Sequence, residues 1–100
     1  MQIFLDDQRK TPKGWIRAYW PDEVIELLET NCVMKLSLDH DLGDDSRGTG
    51  YDVILWIEKM VATTDFIPPI IYVHSDNASA KQKMLMGIKS IHKIYKSKKG

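Results

Sequence analysis

Three short apolar runs in this chain each stop abruptly at acids or histidines. Ile3-Phe4-Leu5 runs into Asp6 and Asp7, Leu36-Ser37-Leu38 into Asp39, His40 and Asp41, and Ile70-Ile71-Tyr72-Val73 into His74, Ser75, Asp76 and Asn77. If the runs are parallel strands of one sheet, their polar ends gather along one rim, and that rim is where open α/β sheets bind ligands and do chemistry. The pattern points to an α/β fold with a site at the strand ends.

The rest of the chain supplies elements that suit such a sheet. Strands are expected over 2–5, 16–19, 33–38 and 70–73. The first helix begins at Pro21-Asp22-Glu23, where a proline and acids suit the orphan amides and the dipole of a first turn. It buries Val24, Leu27 and Leu28, and Asn31 can end it. After a polar loop over 43–50, Val53, Trp56, Ile57, Met60 and Val61 fall at helical spacing. The fourth strand is apolar throughout, which predicts cover on both faces. The last helix, from about Ser79, buries Met84, Ile88, Ile91 and Tyr95. A chain of one hundred residues, 43% of them hydrophobic, buries one core and not two. A single domain is therefore expected over 1–95, followed by a flexible basic tail over 96–100. No apolar run approaches the roughly 18 residues that span a bilayer, and no secretory leader is visible. The lone Cys32, read as a small buried filler, fits a reducing cytosol, so the expected location is cytoplasmic, with no membrane partner.

The acids carry the chemistry. Asp6, Asp7, Asp39 and Asp41 converge if strands one and three are neighbours, as in flavodoxin-like sheets of order 2-1-3-4. Clustered carboxylates repel unless a cation sits among them, so all four are candidate metal ligands, with capping or solvation as the alternative for Asp7 and Asp41. Mg²⁺ or Mn²⁺ is the expected cofactor, because such ions take one or two carboxylates and complete their shell with water and phosphate. His40 and His74 end different strands and are candidates for general base and general acid on a phosphodiester, since histidine titrates near the working pH. Arg9 can clamp a phosphate, and Ser75 and Asn77 can hold a phosphate oxygen or cap the last helix. Trp15, Trp20 and Tyr72 can stack on a base or fill the core, and His92 reads as surface. From Lys81 onward the chain carries seven lysines and no acid, a solvated face or a guide for an anionic ligand.

Taken together, FLDDQR with Pro12 and Trp15 after it, then LSLDHDLG, GTGYDVILWIE and IIYVHSDN, resemble the cyclic-phosphate processing receiver family, a reduced relative of response-regulator receiver domains. The resemblance covers nearly the whole chain. It implies a receiver-like α/β three-layer sandwich with a mainly parallel sheet of about four strands. It also implies Mg²⁺ binding by Asp6 and Asp7, a phosphate-accepting role for Asp39, and Ser75 at the receiver hydroxyl position. The sequence departs from signalling receivers in three ways: a loop replaces the first helix, histidines stand at His40 and His74, and no fifth strand ending in lysine is recognisable. What the family implies is hydrolysis of a cyclic phosphate on an RNA end or a nucleotide, and it leaves the protein partner unknown. A non-catalytic module that sequesters a nucleotide or a protein partner is the main alternative. Asp39-His40-Asp41 also matches the Asp-x-Asp of haloacid-dehalogenase-type phosphatases, but there that strand comes first and a later lysine and acid pair is needed. His40-Asp41 is no HD phosphohydrolase motif, because that superfamily places its ligands on helices.

Overall fold

The computed structural model describes residues 1–99. Numbered in chain order, the strands are β1 (Gln2–Leu5), β2 (Ile16–Ala18), β3 (Lys35–Leu38) and β4 (Ile70–Val73), and the helices α1 (Pro21–Leu28), α2 (Gly50–Thr63) and α3 (Ala78–Lys99). All strand pairs are parallel and the order is β2-β1-β3-β4, as expected for a receiver-like sheet. The register aligns Leu5 with Leu38 and Leu38 with Val73. Asp6, Asp39 and His74, one step beyond those paired ends, therefore stand abreast. Backbone bonds carry the ladder that one step further, from Asp39 N–H to the Leu5 carbonyl at 2.9 Å and from His74 N–H to the Leu38 carbonyl at 3.0 Å.

Handedness decides which face each connection covers. The steps from β2 to β3 and from β3 to β4 run in the same direction across the sheet, so right-handed crossovers place α1 and α2 on one face. There α1 packs on α2, and α2 on α3. Ile3, Leu5, Leu36, Leu38 and Ile71 meet Val24, Leu28, Val53, Ile57, Met84 and Ile91 in the core between sheet and helices. The step from β1 to β2 runs the other way, and its loop crosses the opposite face. Trp15 packs edge-on against Phe4 at 6.5 Å, and Gln2 Nε2 donates to the Gly14 carbonyl. The sandwich is thus helices, sheet and loop, with the loop standing where a helical layer would be.

Several expectations are corrected. β4 is an edge strand covered on one face only: Ile71 is buried, but Ile70 and Tyr72 are 54% and 48% exposed. Its unbroken apolar run does not mean two covered faces, because the short loop over β1 does not reach across the sheet. β3 begins at Lys35, after Asn31 at φ 61° has turned the chain out of α1. Cys32 is exposed and not buried. α3 runs through Lys99. Lys98 Nζ donates to the carbonyls of Val61 and Thr64, at 2.9 and 2.6 Å, and ties the last turn to the end of α2. Among the described residues no helix is long and apolar enough to cross a membrane.

Candidate functional site

Asp6 organises the rim. Its Oδ1 accepts the N–H groups of Gln8 and Arg9, at 2.7 and 2.9 Å, closing a turn directly after β1 that folds Arg9 back over its own strand end. Arg9 Nη1 then donates to Asp6 Oδ2 at 2.9 Å and lies 3.4 Å from Asp39 Oδ2, while Nη2 reaches Asp76 Oδ2 at 2.6 Å. One guanidinium spans three carboxylates from three strand ends.

His74 completes the cluster from the side. Its Nε2 is 3.0 Å from Asp6 Oδ2, its Nδ1 is 2.7 Å from Ser37 Oγ, and its ring stacks on Phe4 at 4.3 Å and 2°. The alternation of β1 and β3 explains this: Phe4 and Ser37 point to the loop face, opposite Leu5 and Leu38, and there form a floor and a hydroxyl for the imidazole. With Asp6 ionised, the Ser37 hydroxyl donates to Nδ1 and Nε2–H donates to the carboxylate. His40 sits apart. Its backbone N–H donates to Asp39 Oδ1 at 2.8 Å, and its Nδ1 lies 2.8 Å from Asp41 Oδ1.

Electrostatics separates the two central carboxyls. Burial alone would push Asp6 up, but the Gln8 and Arg9 amides, the Arg9 guanidinium and His74 together outweigh it and hold Asp6 at about 2. Asp39 is raised, first by burial and further by the Asp6 charge, against the His40 amide and Arg9. Burial also lowers His74, opposed by its contact with Asp6, which favours the neutral ring. Neighbouring carboxyls driven in opposite directions are typical of functional sites.

These groups border a cleft of about 360 Å³ lined by Asp6, Asp7, Gln8, Arg9, Asp39, Asp41, Gly43 and Asp76. Six expected residues, Asp6, Asp7, Arg9, Asp39, Asp41 and His74, therefore meet in or beside the cleft. Asp6, Asp39 and His74 each offer a ligand atom, all within 4.8 Å of one another; Asp7 and Asp41, expected as ligands, line the cleft outside that triad. This set fits a divalent ion, and its imidazole nitrogen suits Mn²⁺ better than Mg²⁺, which prefers oxygen throughout. His40 and His74 do not face each other across the cleft and neither lines it. Both ring nitrogens of His74 are engaged, whereas His40 Nε2 has no protein partner among the described residues. Ser75 is buried, and its Oγ accepts the Asn77 N–H. Asn77 Oδ1 accepts the Ala80 N–H and the Ser79 hydroxyl at the start of α3, so both serve the turn into α3. Here His74, not Ser75, holds the rim position next to Asp6.

Sequence reasoning missed Asp76, Ser37 and Phe4. Asp76 stands among the rim residues after β4 with no role assigned by sequence, and only the turn that brings Arg9 across the rim gives it a partner. Ser37 and Phe4 were legible in principle, since strand alternation puts both on the face of the residue that follows β4.

The fold and the site define a small receiver-like α/β domain whose strand ends carry an arginine-bridged carboxylate cleft. The chain belongs to the cyclic-phosphate processing Receiver domain family, whose model matches residues 1–90. No curated protein and no solved structure matches it.

Proposed function

We propose that this domain hydrolyses a cyclic phosphodiester in the cleft at the strand ends, the substrate being a nucleotide or an RNA end carrying a cyclic phosphate. The observation that carries the reading is the convergence of Asp6, Asp39, His74 and Arg9 at one rim, in a family named for cyclic-phosphate processing. Asp6, Asp39 and His74 Nε2 would hold a divalent ion, Mg²⁺ or Mn²⁺. For Nε2 to serve as a ligand the ring changes tautomer, and Ser37 Oγ, able to accept as well as donate, takes the Nδ1–H. When bound, such an ion supplies Lewis-acid charge beside the phosphoryl group.

The chain's own groups supply the rest. Arg9, once released from the rim carboxylates, would orient the phosphate through two parallel donors. A water oxygen bonds to phosphorus as one ribose ester oxygen leaves, and the water's proton and the proton taken up by the ribose oxygen are exchanged through a rim group. His40 is the better candidate for that exchange, because Asp41 orients its Nδ1 and leaves Nε2 open. His74, with both nitrogens engaged, has a positioning or ligand role in place of the acid or base role first expected.

The test is a panel of cyclic mononucleotides, cyclic dinucleotides and cyclic-ended RNA incubated with pure protein and Mg²⁺ or Mn²⁺, with products separated by chromatography. Ring opening to a phosphomonoester that is lost in Asp39→Asn supports the reading. A second reading, binding without turnover, is favoured by one observation: neither histidine lines the cleft. Tight binding of a panel member with no product in any metal would make that module the better account.

A further inference from the structure

Arg9 sits between the carboxylates that a divalent cation would need. Its Nη1 is 2.9 Å from Asp6 Oδ2 and 3.4 Å from Asp39 Oδ2, while His74 Nε2, the third candidate ligand, is hydrogen-bonded to the same Asp6 oxygen at 3.0 Å. A guanidinium and a metal ion compete for that space, because both are positive and both need oxygens of the same two carboxylates. We propose that Arg9 is the resident counter-ion of this site, that a divalent cation binds only by displacing it from Asp6 and Asp39, and that Asp76 is the anchor that keeps Arg9 in place. The inference rests on the reading that Asp6, Asp39 and His74 form the cation site.

Three features support an exchangeable arginine over a fixed structural one. The Arg9 side chain is 37% exposed, so it can withdraw toward solvent without leaving a packing void. Its far nitrogen is held by Asp76, whose side chain is 96% exposed; an ion pair that open to water is weak and easily remade. Asp6 keeps the Gln8 and Arg9 backbone amides on Oδ1, so the turn after β1 does not depend on the guanidinium and survives its departure. Withdrawn from Asp6, Asp39 and Asp76, Arg9 would face the cleft with donors open for a phosphate. Cation entry and phosphate capture would then favour the same arrangement of one side chain.

The arrangement makes the apparent cation affinity depend on the fraction of molecules in which Arg9 has left the carboxylates. Calorimetric Mn²⁺ titrations without substrate, on wild type, Arg9→Gln, Arg9→Lys and Asp76→Asn, read that fraction. Arg9→Gln should bind Mn²⁺ about tenfold tighter or more, the gain expected if the closed form holds at least about nine in ten molecules. Arg9→Lys should fall between it and wild type. Asp76→Asn should tighten binding by no more than about threefold, as suits an exposed pair. In metal-free buffer Arg9→Gln should melt lower than wild type, from unrelieved repulsion between Asp6 and Asp39, and Mn²⁺ should raise its melting temperature by more than it raises that of wild type. An arginine that serves only as a phosphate clamp predicts unchanged Mn²⁺ affinity, and one that only shapes the loop predicts weaker binding. Either outcome overturns the exchange, as does the absence of Mn²⁺ binding in all four proteins. Should Arg9→Gln not fold, weaker Mn²⁺ binding by Arg9→Lys or Asp76→Asn than by wild type has the same force. The titrations do not involve turnover: a protein that shows the expected order yet cleaves nothing loses the hydrolase reading and keeps the exchange, and one that cleaves without binding Mn²⁺ does the reverse.

Discussion

Asp6 and Asp39 end neighbouring strands at the same level, and each is buried, yet their protons are held very differently. Asp6 has four hydrogen-bond donors and is held at about 2; Asp39 has one backbone donor, lies beside the Asp6 charge and is raised. The two therefore act on stability with opposite signs. Asp6 binds its proton more weakly folded than unfolded, so its contribution is whole above its ordinary value of 3.8 and vanishes as pH falls toward about 2. That shift corresponds to at most about 2 kcal/mol, reduced by the water around the half-exposed Arg9 guanidinium. Denaturant unfolding of wild type and Asp6→Asn between pH 2 and 6 should show a stability gap that closes as the pH drops. Asp39 binds its proton more tightly folded, so its ionisation costs stability as pH rises through its folded value. Asp39→Asn keeps the oxygen that accepts the His40 amide, so in metal-free buffer at neutral pH it should melt higher than wild type, and the advantage should fade in acid. The same substitution should weaken Mn²⁺ binding, because it removes one charge of the triad. A mutant that melts lower at neutral pH and titrates Mn²⁺ like wild type would mean the carboxyl is structural.

Elements place these residues, and the contact of α2 with the end of β3 is the tightest constraint among them. Gly50, the first residue of α2, donates its N–H to the His40 carbonyl at 3.2 Å, and a Cβ added there would fall on the Asp39 carbonyl. The backbone carrying Asp39 is thus pressed against a helix start that only glycine permits. Gly50→Ala should destabilise the domain by about 1 to 3 kcal/mol, the usual cost of overpacking, and should also weaken Mn²⁺ binding by moving Asp39; urea unfolding and a Mn²⁺ titration of the same sample check both. The strand-end rim was legible because abrupt endings such as Leu5 to Asp6 and Leu38 to Asp39 survive in one dimension, whereas the order 2-1-3-4 was legible only through the resemblance to receiver and flavodoxin-like sheets. Which face each element covers was not. The run Ile70 to Val73 reads the same whether one face or two are packed, and only the brevity of the loop over β1 leaves Ile70 and Tyr72 bare. The mutual placement of His40 and His74 was illegible for a related reason: the strand end fixes where the backbone is, whereas Ser37, Phe4 and Asp41 decide where the rings go.

At the scale of the whole molecule, five acids line the rim cleft, while α3, 22 residues long and so about 33 Å from end to end, starts beside that rim at Ala78 and carries lysines and no acid along its length. Lys98 is spent on the end of α2, and Lys83 and Lys99 lie over Tyr51 and Tyr95 at 4.2 and 5.0 Å. Lys89, Lys93 and Lys96 are exposed, have no acid partner among the described residues, and fall at i, i+4 and i+7 on one face of the helix. Removing 96–100 is therefore a poor probe of this charge, since it also cuts the Lys98 tie; replacing Lys89, Lys93 and Lys96 together by Gln leaves the helix intact, glutamine being a good helix former. If the substrate of the proposed reaction is the end of an RNA strand, its backbone would lie along this stripe and its cyclic phosphate would enter the cleft. The triple variant should then bind cyclic-ended RNA more weakly, and the slope of log affinity against log salt should flatten by about 2, from about 0.7 for each single-strand phosphate that a lysine no longer neutralises. Its affinity for a cyclic mononucleotide, which is too small to reach the stripe, should not change. Equal RNA affinities and equal salt slopes in wild type and variant would make the lysines a solvated face and confine recognition to the rim, where a mononucleotide or cyclic dinucleotide would be the fitting substrate.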